Sequence, residues 1–342
     1  MIGRNAILGA LVIACCALTV AGTWSARPAP VRYPAHWPAP VYDFARNPLT
    51  QEGIALGRKL FHDPILSRDS TISCASCHLS FTAFSHVDHK LSHGIHDSIG
   101  TRNAPALMNL AWNRSFMWDG AANHLDMQPL APINNQAEMG ESTQHVLYKL
   151  ERGSTYRPLF YAAFGDSMIN APRLLKALAQ FQASLVSCDS RYDRVKAGTE
   201  SFTEQEQNGY RIFLSHCNAC HREPLFTTGA FANNGLRPDS LLHDGGRIRI
   251  THDPNDSLMF KIPTLRNVEY SFPYMHDGRF RNLREVIAHY TDDVFHSATL
   301  SHELRGPITL SPNERTDLYA FLLTLSDRVF CLAPEHAAPR PE

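Results

Sequence analysis

Two short runs of this chain carry residues suited to covalent cofactor chemistry: Cys74-Ala75-Ser76-Cys77-His78 and Cys217-Asn218-Ala219-Cys220-His221. Each is C-x-x-C-H, the attachment pattern of c-type haem, in which both thiols add to vinyl groups and the adjacent imidazole ligates iron. The spacing lets one turn of chain hold both sulfurs at one porphyrin edge while the histidine reaches the metal. With eight cysteines and 18 histidines in 342 residues, roughly 0.01 copies are expected by accident, against two observed. A four-cysteine zinc site is the main rival, but it does not require histidine directly after the second cysteine in both copies. A thioredoxin-like dithiol calls for a βαβ context that the sequence lacks. The pattern therefore predicts two covalently bound haem c groups, with His78 and His221 as proximal ligands.

A second echo follows the first. Pro105-x-Leu107-x-Asn109 leads to Met117-Trp118-Asp119-Gly120 and Leu125, and Pro263-x-Leu265-x-Asn267 leads to Met275-His276-Asp277-Gly278 and Leu283. Each member of the later set lies 158 positions after its counterpart. Such register predicts two related haem domains, an internal repeat.

The elements that must position these residues read as helices. Pro172 opens a stripe of Leu174, Leu178, Phe181 and Leu185, and the first domain closes near Ser187-Cys188-Asp189. Thr203 with Glu206, and Ser311 with Glu314, are capping boxes that start helices in the second domain. The last of these carries Leu318, Phe321, Leu322 and Leu325 on one face. Period-2 alternation is nearly absent, so the expected fold is mostly α: two cytochrome c-like haem domains with long loops. The boundaries are 49–190 for the first domain, 191–332 for the second and 333–342 for a tail.

Composition narrows the class further. Hydrophobic residues at 44% and charged residues at 19% exclude disorder as the main state. A net charge of −1, from 32 basic and 33 acidic residues, argues against nucleic acid as a partner. Arg4 followed by the apolar or small run Ala6 to Thr23 has the shape of a secretory signal or a single N-terminal anchor over residues 1–26. Val12-Ile13-Ala14-Cys15 also has the form of a lipobox. No comparable run recurs, so a polytopic membrane protein is excluded. Export to the periplasm follows, with the membrane touched only through this leader. Arg27 to Pro48, with six prolines, reads as an extended tether. Cys188 and Cys331 remain after the leader and haem cysteines are counted. They form either a disulfide or two separately buried thiols.

From about Gly53 to Leu325 the chain resembles the bacterial diheme cytochrome c peroxidases and the related MauG-type diheme enzymes. The matching stretches are Leu60-Phe61-His62-Asp63-Pro64, Ser73 to His78, Arg102-Asn103-Ala104-Pro105, Met117-Trp118-Asp119-Gly120, Glu138-Met139-Gly140, Lys261 to Asn267 and Pro273 to Gly278. The resemblance implies that the haem on Cys74 and Cys77 meets peroxide and that the haem on Cys217 and Cys220 admits or stores electrons. It places Trp118 between the haems, and Gln128 and Glu138 over the peroxide side. It places calcium between the domains on Asn103 and the carbonyls of Ser271 and Pro273. Taken singly, Glu138 reads as a surface glutamate and Trp118 as a packed core ring.

Two ligand positions stay open. Where methionine-type peroxidases carry the second haem's ligand, this chain has Tyr290, as in the MauG-type branch. Leu283, Val286, Ile287 and Tyr290 share one helix face, so Tyr290 points inward as either ligand or core residue. Met275 is its rival. In Ser92-His93-Gly94, His93 is either a removable cap on the first haem or a solvated histidine on a mobile loop crowded by His86, His89 and His96. The expected activity is reduction of hydrogen peroxide with electrons from a small donor such as cytochrome c or a cupredoxin; a homodimer is compatible with it. The alternatives are a MauG-like oxidase of aromatic residues on a partner protein and a non-enzymatic electron carrier.

Overall fold

The computed structural model describes residues 24–340. The proposed leader lies almost wholly outside them. Helices and short 3-10 turns account for nearly all regular structure among these residues, and the strands are one antiparallel pair, Phe231–Ala232 with Phe260–Lys261. Among the described residues, no helix is long and apolar enough to cross a membrane.

Two helix crossings anchor two cores. The helix Gln51–His62, capped by Thr50 Oγ1 accepting from Gly53 N, packs on Ala171–Ser184, whose cap is Asn170. Leu56, Leu60 and Phe61 bury against Leu174, Leu178 and Phe181, as the stripe predicts. The axes come so close that a Cβ at Gly57 would run into the Ala177 carbonyl. Farther along, Glu204–His216 packs on Pro312–Leu323, and both expected capping boxes form. Here a Cβ at Gly209 would strike the Asp317 carbonyl. In both crossings glycine is needed for close approach rather than for a turn. Phe213, Phe226 and Phe321 fill the second core.

The loops beyond each crossing adopt matching conformations at the 158-residue interval. Asn109 and Asn267 have φ of 55° and 54°, Met117 and Met275 67° and 74°. The bridges Phe116↔Ala122 and Tyr274↔Phe280 are equivalent. The two asparagines meet at Ser187. Asn109 Nδ2 donates to the Ser187 carbonyl at 3.1 Å and Asn267 Nδ2 to its hydroxyl at 2.9 Å.

Both chain ends depart from their expected roles. The 27–48 stretch is extended but is no free tether, because Trp37 is buried edge-on to Trp112 at 5.3 Å and lies under the Arg266 guanidinium at 4.5 Å. Arg266 belongs to the second core's buried ion pair with Asp193, so the arm spans both units. The isolated aromatics Tyr33, Trp37, Tyr42 and Phe44 supply the burial that proline content concealed. The helix Arg328–Leu332, assigned by position to the second domain, packs on the first. Phe330 and His336 pack edge-on or tilted around Phe84, and Arg58 donates to the carbonyls of Ala337 and Pro334 at 2.7 and 2.9 Å. Cys331 lies in this core, whereas Cys188 packs beside Trp37 and Trp112; both are free thiols, and no disulfide joins them.

Candidate functional site

Ser73 N donates to Ser76 Oγ at 3.0 Å and opens a single helical turn, Cys74–Cys77, which His78 N closes by donating to the Cys74 carbonyl at 2.9 Å. The chain then bends through the left-handed residues Ala83 and Phe84, which brings the Phe84 carbonyl 2.6 Å from His78 Nδ1. A carbonyl only accepts, so Nδ1 carries the proton and Nε2 keeps its lone pair. His221 repeats the device, with Nδ1 at 3.1 Å from the Pro263 carbonyl and 3.3 Å from that of Phe226, itself left-handed at φ 52°. Burial pushes both imidazoles down to about 4, so they are neutral at pH 7, the form that binds metal. Paired thiols, a fixed tautomer and a free Nε2 fit haem c at both motifs. Extraction of the denatured protein with acidic solvent should leave two haems on the chain by mass, and Cys74→Ala or Cys217→Ala should weaken one attachment. Release of all haem would contradict covalent attachment.

A cavity of about 640 Å³ opens beside the first motif. Cys77, His78, Trp118, Gln128 and Glu138 line it, and Ile262, Pro263 and Met275 close it from the second unit. The first haem motif and the three residues expected to act in peroxide chemistry thus share one space. The short helix Leu130–Asn134 leads into the Glu138 turn, where Asn135 Nδ2 donates to Glu138 Oε1 at 2.9 Å. Burial raises the Glu138 carboxyl above its usual range, with the Asn135 bond opposing it. Gly94 packs so tightly on the Glu138 backbone that a Cβ there would collide with it, and Ile95 N donates to the Glu138 carbonyl at 2.8 Å. Gln128 Nε2 lies 3.6 Å from Met117 Sδ.

His93 lines a smaller adjoining cavity with Cys74, Cys77 and His78. Its ring stacks on His89 at 4.0 Å and its Nδ1 meets Asp97 at 3.1 Å, while its backbone carbonyl lies 3.4 Å from Cys77 Sγ.

Trp118 is fixed at both ends. Its Nε1 donates to the Asn103 carbonyl at 2.9 Å, and its own carbonyl accepts from Lys261 N of the second unit at 2.7 Å. Asn103 N donates to the carbonyl of His276, the residue that replaces tryptophan in the second copy, at 2.7 Å. Arg102 joins Asp119 at 2.6 Å to Asp244 at 2.6 and 2.8 Å, so a charge-assisted bridge locks the junction beside the tryptophan. Nothing in the spacing of Arg102 and Asp244, 142 residues apart, forecasts this meeting.

Asn103, Ser271 and Pro273 also line the large cavity. Asn103 Nδ2 donates to the Lys90 carbonyl at 3.1 Å, which leaves its Oδ1 available. Neutral oxygens of this kind suit calcium if water completes the shell. Among the described residues, no three His, Cys, Asp or Glu side chains cluster for a metal ion.

At the second motif, Tyr290 sits on the helix Leu283–Asp292 and Met275 on the repeated loop. Both reach one side chain: Asn234 Nδ2 lies 3.3 Å from Met275 Sδ and 3.5 Å from Tyr290 Oη. Burial pushes the Tyr290 phenol up to about 12, and the nearby Cys217 and Cys220 add to the rise. His289 Nε2, 3.0 Å from the Asn234 carbonyl, ties this asparagine to the same helix.

Residues 51–201 match the family described as di-haem cytochrome c peroxidase. The methylamine utilization protein MauG of Methylophilus methylotrophus is 37% identical over 92% of this chain and 94% of its own. The cytochrome c551 peroxidase of Pseudomonas aeruginosa is 31% identical over 85% of this chain and 83% of its own. Among solved structures, a MauG-like protein associated with microbial copper homeostasis superposes with a TM-score of 0.79 at 31% identity, covering 90% of this chain and 98% of that one.

Proposed function

The chain belongs to the di-haem cytochrome c peroxidase family, which includes MauG, and from that premise we propose that it is an exported enzyme reducing hydrogen peroxide to water with electrons from a small redox protein. The observation that carries this reading is the shared cavity of His78, Gln128 and Glu138. Reduction consumes one peroxide, two electrons and two protons and forms two waters. Haem bound at the two motifs supplies the electron transfer. Glu138, held by Asn135 and buttressed by Gly94, accepts the proton of the nearer peroxide oxygen and returns it to the departing one. Gln128 orients peroxide through its amide. Trp118, hydrogen-bonded to Asn103 and to Lys261 of the second unit, relays electrons between the haems. Donors of cytochrome c or cupredoxin type suit the reaction, and the leader sequence supports a periplasmic setting. Steady-state peroxide consumption with such a donor tests the reading; a protein that takes up electrons but leaves peroxide intact would favour the carrier alternative.

A second reading, oxidation of aromatic residues on a partner protein, is favoured by Tyr290 at the second motif and by the MauG relatives. The diagnostic is incubation with peroxide and candidate donors: a peroxidase oxidises the small donor stoichiometrically, whereas the second reading predicts slow donor turnover.

Calcium on Asn103 and the Ser271 and Pro273 carbonyls would tie the loop of one unit to that of the other. Removal by chelator should lower both activity and melting temperature, with recovery on adding calcium. An active protein that contains no calcium on metal analysis would rule this site out.

A further inference from the structure

We propose that Lys261 is the counter-ion for a propionate of the haem attached at Cys74 and Cys77, so that the second unit completes the cofactor site of the first. Lys261 ends the strand Phe260–Lys261, and its backbone N–H is committed to the Trp118 carbonyl at 2.7 Å. Its side chain lines the cavity that holds Cys77 and His78. Among the described residues its ammonium has no carboxylate partner and no hydrogen bond, whereas Arg102 and Arg266 in the same region are each paired with aspartate.

Lys261 is half-buried on the wall of this cavity, and a cofactor filling the cavity would cover its ammonium, where a cation without an anion is costly. The protein groups that face the space do not serve. Asp119 is bound by Arg102, and Glu138 is held by Asn135, with burial raising it and no cation opposing the rise. Peroxide is neutral at pH 7. A haem propionate is a carboxylate, ionised at neutral pH and delivered with the cofactor, and an ammonium is a compact point-charge partner for it. Burial lowers the Lys261 ammonium to about 8, which still leaves it mainly charged near neutrality. The cavity lining includes Cys77 and His78, and from the second motif's surroundings Pro263 and Met275 rather than Cys217, Cys220 or His221, so the propionate is assigned to the first haem. The inference needs only the two haems and stands apart from the peroxide reading.

The test uses the full-length holoprotein with Lys261→Met and Lys261→Arg, after mass spectrometry confirms two attached haems. Loss of a cation beside a propionate stabilises ferric iron. Lys261→Met should therefore lower the first haem's midpoint potential and shift its propionate bending band in resonance Raman spectra. Lys261→Arg should restore both, and the second haem should be unmoved. If the methionine chain does not mature, Lys261→Gln carries the same expected loss. Unchanged potential and band in the neutral variant would overturn the proposal, as would changes confined to the second haem.

Discussion

Glu138→Gln is expected to cut peroxide turnover by roughly 10²-fold or more, the usual scale for loss of a general acid–base group, with both haem spectra nearly intact. Glutamine keeps the shape and can still meet Asn135, whose Nδ2 donates to Glu138 Oε1 at 2.9 Å, so the change removes a proton acceptor rather than a support. The turn itself is held through backbone, by Ile95 N on the Glu138 carbonyl and by the packing of Gly94, and neither contact depends on the side chain. The pH profile adds a second signature. Burial raises the Glu138 carboxyl above its ordinary value of 4.5, so the accepting, ionised form is lost at a higher pH than for a solvated glutamate. Turnover should fall as pH drops through that raised value, and this acid limb should vanish in the glutamine variant. A variant that turns over peroxide at the wild-type rate would remove Glu138 from the mechanism.

The parts legible in the sequence were those that local chemistry dictates. C-x-x-C-H is a covalent requirement, the Thr203–Glu206 and Ser311–Glu314 boxes satisfy backbone donors within one turn, and the stripe from Leu174 to Phe181 follows helical geometry. The 158-residue echo was visible because the loops it marks demand the same left-handed turns twice. Other features depend on contacts across the chain and leave no local pattern. Trp37 lies in a proline-rich stretch without periodicity, yet is buried against Trp112 and Arg266. Phe330 and His336 follow the last regular helix of the second unit but fill a gap beside Phe84 in the first. Arg102, Asn234 and Lys261 are single polar residues whose surroundings come from other loops. His93 lines the small cavity beside the first motif, and no local pattern forecasts the stacking of its ring on His89.

The largest effect on redox behaviour is expected at Tyr290. Its hydroxyl and the Met275 sulfur both lie beside Asn234, which makes them the two candidate ligands for a haem bound at the second motif. A phenolate brings negative charge and stabilises ferric iron, whereas a thioether favours the ferrous state. The free phenol is pushed up to about 12, so ligation by Tyr290 needs iron to displace its proton, and the Asn234 amide is placed to donate to the resulting oxygen anion. Axial ligands set haem potentials over a span of about 0.8 V, so Tyr290→Phe should raise the second haem's potential by on the order of hundreds of millivolts. Met275→Leu should leave it nearly unchanged. With tyrosine bound, the second haem is a poor store for a donated electron, and peroxide should react with the fully oxidised enzyme. With methionine bound, reduction should be required before peroxide reacts. Potentiometric titration of wild type beside both variants decides between the cycles. If Met275→Leu alone alters the second haem's spectrum and potential, Tyr290 is a packed core residue and the methionine-type peroxidase cycle applies.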